Sequence, residues 1–416
     1  MATLTFRDDV LQNCRPASEA PFPREEYKGR LERVKKRMAK DGITTLLINA
    51  PEGMAYIGGY QCEWYQGQSP RQWPPSSTIV VNVNSDKYIH FDTEREAVLA
   101  RFSSVAEDIR IFPPTSMRDG VAFIASELKA LGWLDGKVGI EMYSYRPNRI
   151  VSHRFEDALK AAGAREVVDG TNVMLEVRWL KSPAEMKCIE ESGRIADIGM
   201  KAAMAELRPG VRELEVVGAM MYAMTKAGGE FPAIYQPVLS GQKSNAPHAI
   251  SSRKKVQAGE LVLVDLSGCY NRYHANLART FSMGEPKKDV KEMCDKATAS
   301  MKIIAKMLRP GLPVREFNET VKRYYEEQDL WKNRGWIGGY EMGIAFPPDW
   351  VGPFVFDPLS PINADRNFDA NTAVNYENQF FMPRQEGMLF QIDTLAFFEK
   401  DARILSKLTP DLTVIE

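Results

Sequence analysis

Two segments of this chain share the pattern Leu-Arg-Pro-Gly followed by Val-Arg-Glu and an apolar residue. They are AELRPGVREL at residues 205–214 and KMLRPGLPVREF at residues 306–317. In each segment a long helical pattern stops at Pro-Gly and another begins soon afterwards. The repeat predicts a pseudo-two-fold α+β domain, in which two helix pairs, each followed by strands, fold about a central sheet. Polar residues on the central strands are expected to face a cleft where the halves meet.

The residues before the repeat predict a separate N-terminal α/β domain. Helical and strand patterns alternate through residues 1–172, which favours helices packed on a mixed sheet, and residues 173–416 form the second domain. The segment REEYKGRLERVKKRMAKDG is expected to be a helix, and ITTLLINA a buried strand. The second domain is expected to open with a helix capped by Ser182, with Pro183 at its first position and Glu185 completing a capping box.

Bulk composition excludes several classes of protein. The chain has 416 residues, of which 44% are hydrophobic and 26% charged, which is ordinary for a globular protein with two cores. Its net charge of -1, with short basic clusters balanced by nearby acids, argues against nucleic acid as a partner. The five cysteines lack close pairing, no apolar run reaches about 18 residues, and the start MATLTFRDDVLQN is too acidic for a signal peptide. We therefore expect a cytoplasmic protein with no membrane partner.

The stretch VDLSGCYNRYHANLARTFSMG, residues 264–284, contains the most informative polar residues. One strand-like run delivers Asp265, a Tyr/Asn-rich turn follows, and the next strand-like run delivers Asn276. A carboxylate at the second position would complete half of a cradle for two metal ions. The question is therefore whether this hairpin is a metal site or has lost one.

Several motifs together resemble the creatinase/prolidase, or pita-bread, family. They are MLEVRWLKSPAEMKCIEESGRIADIG, VLSGQKSNAPHAISSRKKVQAGELVLVDLSGCYNRYHANLARTF, GGYEMGIAFPPDW, AVNYENQFFMP and FQIDTLAFF. The similarity runs over nearly the whole chain. It implies a creatinase-like α/β N-terminal domain followed by a pita-bread catalytic domain. Within the family, the motifs look most like ectoine hydrolase, with some features of creatinase.

The resemblance also answers the metal question. Metal-dependent members use two aspartates, one histidine and two glutamates, and the matching positions here are Asp265, Asn276, Tyr340, Glu377 and Asp393. Asparagine offers only a neutral carbonyl, and a phenol with an ordinary pKa of about 10 is a poor ligand at neutral pH. We therefore expect no metal and no other cofactor.

The remaining acids suggest what the site binds. If Asp265, Glu377 and Asp393 converge without a metal, one must hold a proton or a cation must compensate their charge. A substrate with delocalised positive charge, such as an amidinium, would donate planar bidentate hydrogen bonds to carboxylates. The alternative is that these acids pair with arginines such as Arg279 and hold the sheet together.

His248 is the expected general base. It lies in SNAPHAISSRK, a polar loop at the position of the creatinase base, and an imidazole can take a proton from water near neutral pH. His274, next to Tyr273 on the site strand, is a second candidate for substrate contact. The expected catalytic residues are His248, Asp265 and Glu377.

Two departures leave the chemistry open. Ala278 replaces a catalytic glutamate of creatinase, which argues against creatine as substrate. Asp265 lies where the ectoine-hydrolase branch is understood to use a glutamate to attack its ring, and its side chain is one methylene shorter. Either Asp265 forms a covalent adduct, or His248 activates water directly.

The segment CEWYQGQSPRQWPPSS, residues 62–77, is expected to complete the site across a homodimer. In creatinase the partner subunit's N-terminal domain supplies an arginine for the substrate carboxylate, and Arg71 is the candidate here. Trp64 would form an aromatic wall against a cation, and Trp350 of PPDW would wall the opposite side. The alternative is a loop whose aromatic residues seal a subunit interface.

These observations favour a metal-independent hydrolase of an amidine-type C–N bond in a small zwitterion that resembles a compatible solute. Tyr340, Asn276 and Asp393 are expected to bind that substrate. Two alternatives remain: a metal-assisted Xaa-Pro dipeptidase or a lyase acting on a small zwitterion, and a non-catalytic binding protein with this fold.

Overall fold

A computed structural model describes residues 4–62, 76–113, 120–142 and 149–416. The chain divides into two compact units, residues 1–178 and 179–416. The sequence had placed this boundary after residue 172, whereas the structure places it at the end of helix α7, Thr171–Trp179.

The first unit is an α/β domain, and the expected mixed sheet is confirmed. Its strands are β1 (Thr45–Ile48), β2 (Thr78–Asn82), β3 (Ile89–Asp92), β4 (Asp108–Ile111), β5 (Lys137–Ile140) and β6 (Glu166–Asp169). Its helices are α1 (Phe6–Asn13), α2 (Arg24–Lys40), α3 (Pro51–Gly58), α4 (Ala97–Ser103), α5 (Gly120–Ala130), α6 (Arg149–Ala162) and α7. The described strands pair in the order β4-β3-β2-β1-β5-β6, antiparallel from β1 to β3 and parallel elsewhere.

Apolar spacing explains the centre of this unit. Helix α2 buries Tyr27, Leu31, Val34 and Met38, which recur at helical intervals along one face. Strand β1 is buried along its whole length, as expected for a central strand with both faces covered.

The second unit contains the repeat and a larger sheet. Its helices are α8 (Pro183–Glu206), α9 (Glu213–Lys226), α10 (Lys288–Met307) and α11 (Val314–Glu327). Its strands are β7 (Val238–Ser240), β8 (Leu261–Tyr270), β9 (Tyr273–Met283), β10 (Leu312–Pro313), β11 (Arg334–Tyr340), β12 (Val355–Phe356), β13 (Asn367–Phe368), β14 (Thr372–Phe381), β15 (Met388–Phe397), β16 (Ala402–Ile404) and β17 (Thr413–Ile415). The main sheet runs β12-β11-β14-β15-β9-β8-β7, and β16 and β17 pair with β15 and β9.

The two repeat segments form equivalent corners, so the predicted pseudo-two-fold layout is confirmed. Helices α8 and α10 both end just before Leu-Arg-Pro-Gly, and α9 and α11 begin just after it. The glycines of the two corners, Gly210 and Gly311, have φ values of 89° and 79°, a conformation that favours glycine. Each helix pair is followed by a long antiparallel hairpin, β8–β9 or β14–β15, and the two hairpins join where β9 pairs with β15.

The predicted capping box of α8 is also present. The Ser182 hydroxyl accepts from the backbone N–H of Glu185, and the Glu185 carboxylate accepts from the backbone N–H of Ser182. None of the helices in the described ranges has the length and apolar character needed to cross a bilayer.

Candidate active site

One row of paired residues crosses the middle of the large sheet. Asp265 on β8 pairs with Ala278 on β9, Ala278 pairs with Ile392 on β15, and Ile392 pairs with Glu377 on β14. Directly paired residues of neighbouring strands point to the same face of a sheet. Asp265 and Glu377 therefore share one face, which we call the site face.

Side-chain amides link the two acids across the site face. Asn276 donates from Nδ2 to Asp265 Oδ1 at 2.8 Å, and its own Oδ1 accepts from Asn375 Nδ2 at 3.2 Å. Asn375 Nδ2 also lies 2.8 Å from Glu377 Oε1. On the other side of Glu377, Gln379 donates from Nε2 to Oε2 at 2.8 Å. Both carboxyl groups are thus held by neutral amide donors, and no positively charged side chain takes part in these contacts.

Tyr340 and Trp350 complete the same cluster. The indole N–H of Trp350 donates to the Tyr340 hydroxyl oxygen at 3.2 Å, and the Tyr340 hydroxyl donates to Glu377. Burial and the charges of Glu377 and Asp265 hold the pKa of Tyr340 well above its usual value, so the phenol stays protonated. Trp350 is buried, with 3% of its surface exposed. Tyr340 is therefore brought to Glu377, and Trp350 is brought to Tyr340.

The two acids of the site face have raised pKa values. Burial, assisted by the charge of Glu377, raises the pKa of Asp265 to about 8, although the Asn276 amide opposes the shift. Burial raises the pKa of Glu377 to about 7, against the hydrogen bonds from Gln379, Tyr340 and Asn375. At neutral pH the pair therefore holds at least one proton, and the site face has less negative charge than two ionised carboxylates would give it.

Asp393 does not belong to the site, which corrects the expectation from the sequence. It follows Ile392 on β15, so strand alternation turns its side chain to the opposite face. There it forms a double hydrogen bond with Arg279, at 2.9 Å and 3.1 Å, and only 1% of its side chain is exposed. Two of the three predicted carboxylates thus converge, and the third pairs with arginine inside the sheet.

His274 is held by backbone groups, which does not support the substrate contact expected for it. Its Nδ1–H donates to the Arg272 carbonyl at 2.9 Å, and its Nε2 accepts from the Ala233 N–H at 3.0 Å. Burial, with the nearby Arg272 charge, lowers the pKa of His274 to about 3, so the ring is neutral. Because both nitrogens are occupied, the imidazole has no polar atom to offer a substrate.

His248 is exposed, in a turn directly after the 3-10 helix Gly241–Asn245. The neighbouring Ala249 packs against an apolar cluster that includes Ala278 and Ile392, which belong to the row between the two acids. The loop that carries His248 therefore lies over the site face, and His248 remains the candidate base.

Arg71 and Trp64, predicted for the same site, lie outside the described residues.

Sequence reasoning missed Asn375 and Gln379. Both flank Glu377 at a distance of two residues in NYENQ, and a strand places such residues on one face. The two-residue spacing of a strand therefore predicted that both amides share a face with Glu377. Uncharged amides are less specific markers of a site than carboxylates or histidines.

Two family models match this chain. A model described as metallopeptidase family M24 matches residues 187–401, and a model described as the creatinase/prolidase N-terminal domain matches residues 30–180. The first match covers more than half of the chain. The chain belongs to family M24. It is thereby a member of a hydrolase family, and the predicted creatinase/prolidase relationship is confirmed.

Relatives within this family carry different names. The Xaa-Pro dipeptidase of Pyrococcus furiosus is 25% identical over 385 residues, which are 92% of this chain and 99% of that protein. The ectoine hydrolase of Halomonas elongata is 25% identical over 349 residues, 79% of this chain and 84% of that protein. Among solved structures, an Xaa-Pro dipeptidase from Bacillus anthracis has a TM-score of 0.76 at 20% identity, covering 94% of this chain and 100% of that one. The last likeness confirms the pita-bread fold alone.

The chain belongs to a metallopeptidase family, so its site residues can be tested as metal ligands. Their chemistry does not suit metal ions. Asn276 directs an N–H group, not a lone pair, at Asp265, and its oxygen is engaged by Asn375. Tyr340 offers a protonated phenol, and Asp393 is turned away and paired with Arg279. Within the described ranges, no cluster of three or more His, Cys, Asp or Glu side chains is arranged to hold a metal. In the described part of the chain, the site face thus offers only the carboxyl groups of Asp265 and Glu377, fewer anionic oxygens than two divalent cations require.

Proposed function

We propose that this M24 member is a metal-independent hydrolase that cleaves an amidine-type C–N bond in a small zwitterionic substrate. The observation that carries the proposal is the amide-linked pair Asp265 and Glu377. These two acids stand where metal-dependent relatives bind cations, and their raised pKa values let the pair hold a proton instead. An ectoine-like cyclic amidine is the leading substrate, in keeping with the similarity to ectoine hydrolase.

Charge complementarity supports a substrate with one delocalised positive charge. With one proton shared, the pair carries a single negative charge near neutral pH, which matches a monocation. A planar amidinium donates two parallel N–H groups, and Asp265 and Glu377 supply acceptor oxygens on one face. The indole of Trp350 and the phenol of Tyr340 lie beside Glu377 and add an aromatic wall to the same place.

The hydrolysis needs a nucleophile, a base and an acid. His248 takes a proton from water, the hydroxide oxygen bonds to the amidinium carbon, and the C=N π electrons move to nitrogen. Protonated Asp265 delivers a proton to one nitrogen of the tetrahedral intermediate, and that C–N bond breaks with its electron pair moving to nitrogen. The hydroxyl group becomes the amide C=O, and its proton returns to the Asp265 carboxylate. The products are an amide and an amine, which remain on one ring-opened molecule when the amidine is cyclic. In the alternative route Asp265 attacks first, and water hydrolyses the adduct.

An Xaa-Pro dipeptidase is the second candidate, because relatives with that name cover nearly the whole chain. That activity would rely on metal chemistry in this family of metallopeptidases, and the donor set described above does not suit it. A lyase acting on a small zwitterion and a non-catalytic binding protein are the remaining alternatives.

A substrate panel tests the proposal. Purified protein is incubated with ectoine, creatine, betaine and Xaa-Pro dipeptides, each with and without EDTA, and products are followed by mass spectrometry. Turnover of ectoine that EDTA leaves unchanged supports the proposal. Turnover of Xaa-Pro dipeptides that EDTA abolishes would establish the second candidate, and a ligand-induced rise in melting temperature without any product would favour a binding protein.

Rapid-quench mass spectrometry then separates the two chemical routes. An adduct on the peptide containing Asp265 at single-turnover times supports covalent attack. Its absence in both the wild type and His248→Ala leaves direct attack by water.

A further inference from the structure

A buried glutamate outside the site face holds both ends of the loop that carries His248. Glu213 begins helix α9, and its side chain is fully buried, with 0% exposed. Its Oε1 accepts from the backbone N–H of Ser240 at 3.0 Å, and its Oε2 accepts from the backbone N–H of Ser252 at 2.8 Å. These serines immediately precede and follow residues 241–251, so one carboxylate closes the base of the loop.

The closure is reinforced by charge. Lys243 Nζ lies 2.6 Å from Glu213 Oε2, and the hydroxyls of Ser240 and Ser252 donate to the same carboxylate at 3.0 Å and 3.1 Å. Burial alone would raise the pKa of Glu213, but Lys243 and the donors of Ser252 and Ser240 together hold it below its usual value. The carboxylate is therefore ionised at neutral pH, and its hydrogen bonds are of the stronger, charge-assisted kind.

The remainder of the loop is fixed to the site side of the sheet. The backbone N–H of Met388, at the start of β15, donates to the Ser244 hydroxyl at 3.1 Å, and Asn245 Nδ2 donates to the Gln385 carbonyl at 3.2 Å. Ala249 packs on the apolar cluster of the site face. With its base closed by Glu213 and its flank held by the β14–β15 connection, the loop has little freedom to move His248.

We propose that Glu213 is a positioning residue for His248, which it fixes over the site face by tying residues 240 and 252 together. The inference rests on the assignment of His248 as general base under the proposed function. Glu213 itself does not touch the reacting atoms. A general base must lie within hydrogen-bond reach of the proton it removes, and a displacement of about 1 Å can cost roughly 100-fold in rate.

Glu213→Gln tests the proposal, because the amide keeps the size of the side chain but turns N–H groups toward donors that need an acceptor. Asp197→Asn is the matched control. Asp197 is also a buried carboxylate in this unit, and it accepts from the Ser406 hydroxyl at 2.6 Å and the Lys407 N–H at 2.9 Å, which ties a different segment to α8. Hydrogen exchange of residues 241–252 and steady-state kinetics on ectoine are measured for both variants, alone and combined with His248→Ala.

A substrate-free measurement runs in parallel. Diethyl pyrocarbonate acylates accessible imidazoles, and the half-exposed His153 of the first unit provides an internal reference. The ratio of the modification rates of His248 and His153 is determined by peptide mass spectrometry in each variant.

Support requires faster exchange of the loop and a raised His248 modification ratio in Glu213→Gln, with neither change in Asp197→Asn. It also requires that kcat falls by about 10-fold or more at nearly constant KM, and that Glu213→Gln costs less than about twofold further when His248 is already alanine. An equal loss in the two backgrounds, an unchanged kcat, or an unchanged exchange and modification ratio would each overturn the inference. Full activity of His248→Ala would refute the general-base assignment and the inference together. Absence of ectoine turnover in the wild type refutes only the substrate, and the exchange and modification ratio then decide the positioning role.

Discussion

Two aspartates on neighbouring regions of one sheet have opposite chemistry because of the face they occupy. Asp265 shares the site face with Glu377, receives an amide hydrogen bond and has a raised pKa. Asp393 meets Arg279 on the other face in a buried double hydrogen bond. Burial raises the pKa of Asp393 as well, but the charge and the hydrogen bonds of Arg279 oppose that shift. A buried charge that lacks a partner costs several kcal/mol, so the arginine favours the ionised form of Asp393.

The same substitution at these two positions should therefore have opposite consequences. Asp265→Asn is expected to abolish turnover while leaving the free energy of unfolding unchanged or slightly higher at pH 7, because it removes a carboxyl group that burial disfavours when charged. Asp393→Asn is expected to lower that free energy by about 3 to 5 kcal/mol, because it leaves Arg279 buried without its anion. Urea denaturation and turnover of both variants provide the check. A stability loss at position 265 as large as that at position 393 would contradict the assignment of faces.

The donor atoms of Asn276 and Tyr340 predict a low affinity of the site face for metal ions. Restoring donors with the double substitution Asn276→Asp and Tyr340→His should raise the metal content, because a second aspartate and an imidazole supply two of the missing ligands. Elemental analysis after dialysis is expected to find well below one ion per wild-type chain and more in the variant. Two stoichiometric ions in the wild type would refute the argument from the donor set.

At the scale of elements, Glu141 is a buried acid in the first unit, where β5 ends and α3 begins. Glu141 directly follows β5, and its Oε2 accepts from the backbone N–H groups of Asn49 and Ala50 at 2.7 Å and 2.6 Å. Burial raises its pKa from 4.5 to about 7, although these two hydrogen bonds and Arg178 oppose the shift. The surroundings of Glu141 therefore favour its protonated form.

Glu141 should make the stability of this unit depend on pH. Because the folded pKa lies above the unfolded value, its contribution is fully present below pH 4.5 and is lost as the pH rises through about 7. The difference corresponds to about 3 kcal/mol. Glu141→Gln should abolish that loss of stability. The free energy of unfolding of the variant should therefore rise relative to that of the wild type between pH 4.5 and 8.

Hydrogen exchange of the peptides that cover β1 and β5 measures this free energy in both proteins. Those peptides belong to the first unit, so unfolding of the second does not obscure the result. A stability difference that stays constant across this pH range would exclude Glu141 as the cause.

At the scale of the whole molecule, the proposed site predicts an assembly of two chains. The resemblance to creatinase predicts a homodimer in which Arg71 of one chain serves the site of the other. Arg71→Ala and His248→Ala should then each be inactive, whereas heterodimers that combine them should contain one intact site. Co-refolding equal amounts should restore about a quarter of the wild-type activity, if pairing is random. Light scattering that finds an active monomer, or heterodimers without activity, would contradict the shared site.

Several features of this protein followed from local sequence. The repeated Leu-Arg-Pro-Gly corners predicted the pseudo-two-fold layout, because a helix stop depends on the residues at the stop itself. Ser182, Pro183 and Glu185 predicted the start of α8 for the same reason. The poorer metal donors at Asn276 and Tyr340 were also visible, since the donor atoms that a side chain carries do not depend on where it lies.

The membership of the site required the tertiary structure. In the sequence, each of three acids, Asp265, Glu377 and Asp393, is simply an acidic residue in a strand-like run. The pairing registers of β8, β9, β15 and β14 show that Asp265 and Glu377 lie on the site face, whereas Asp393 lies on the other face with Arg279. Shifting a strand by one residue would reverse that assignment, because side chains alternate between faces. The sequence by itself determined the elements and the chemical groups. The register and the burial that it brings decided which groups meet, which of them keep a proton and which loop lies over them.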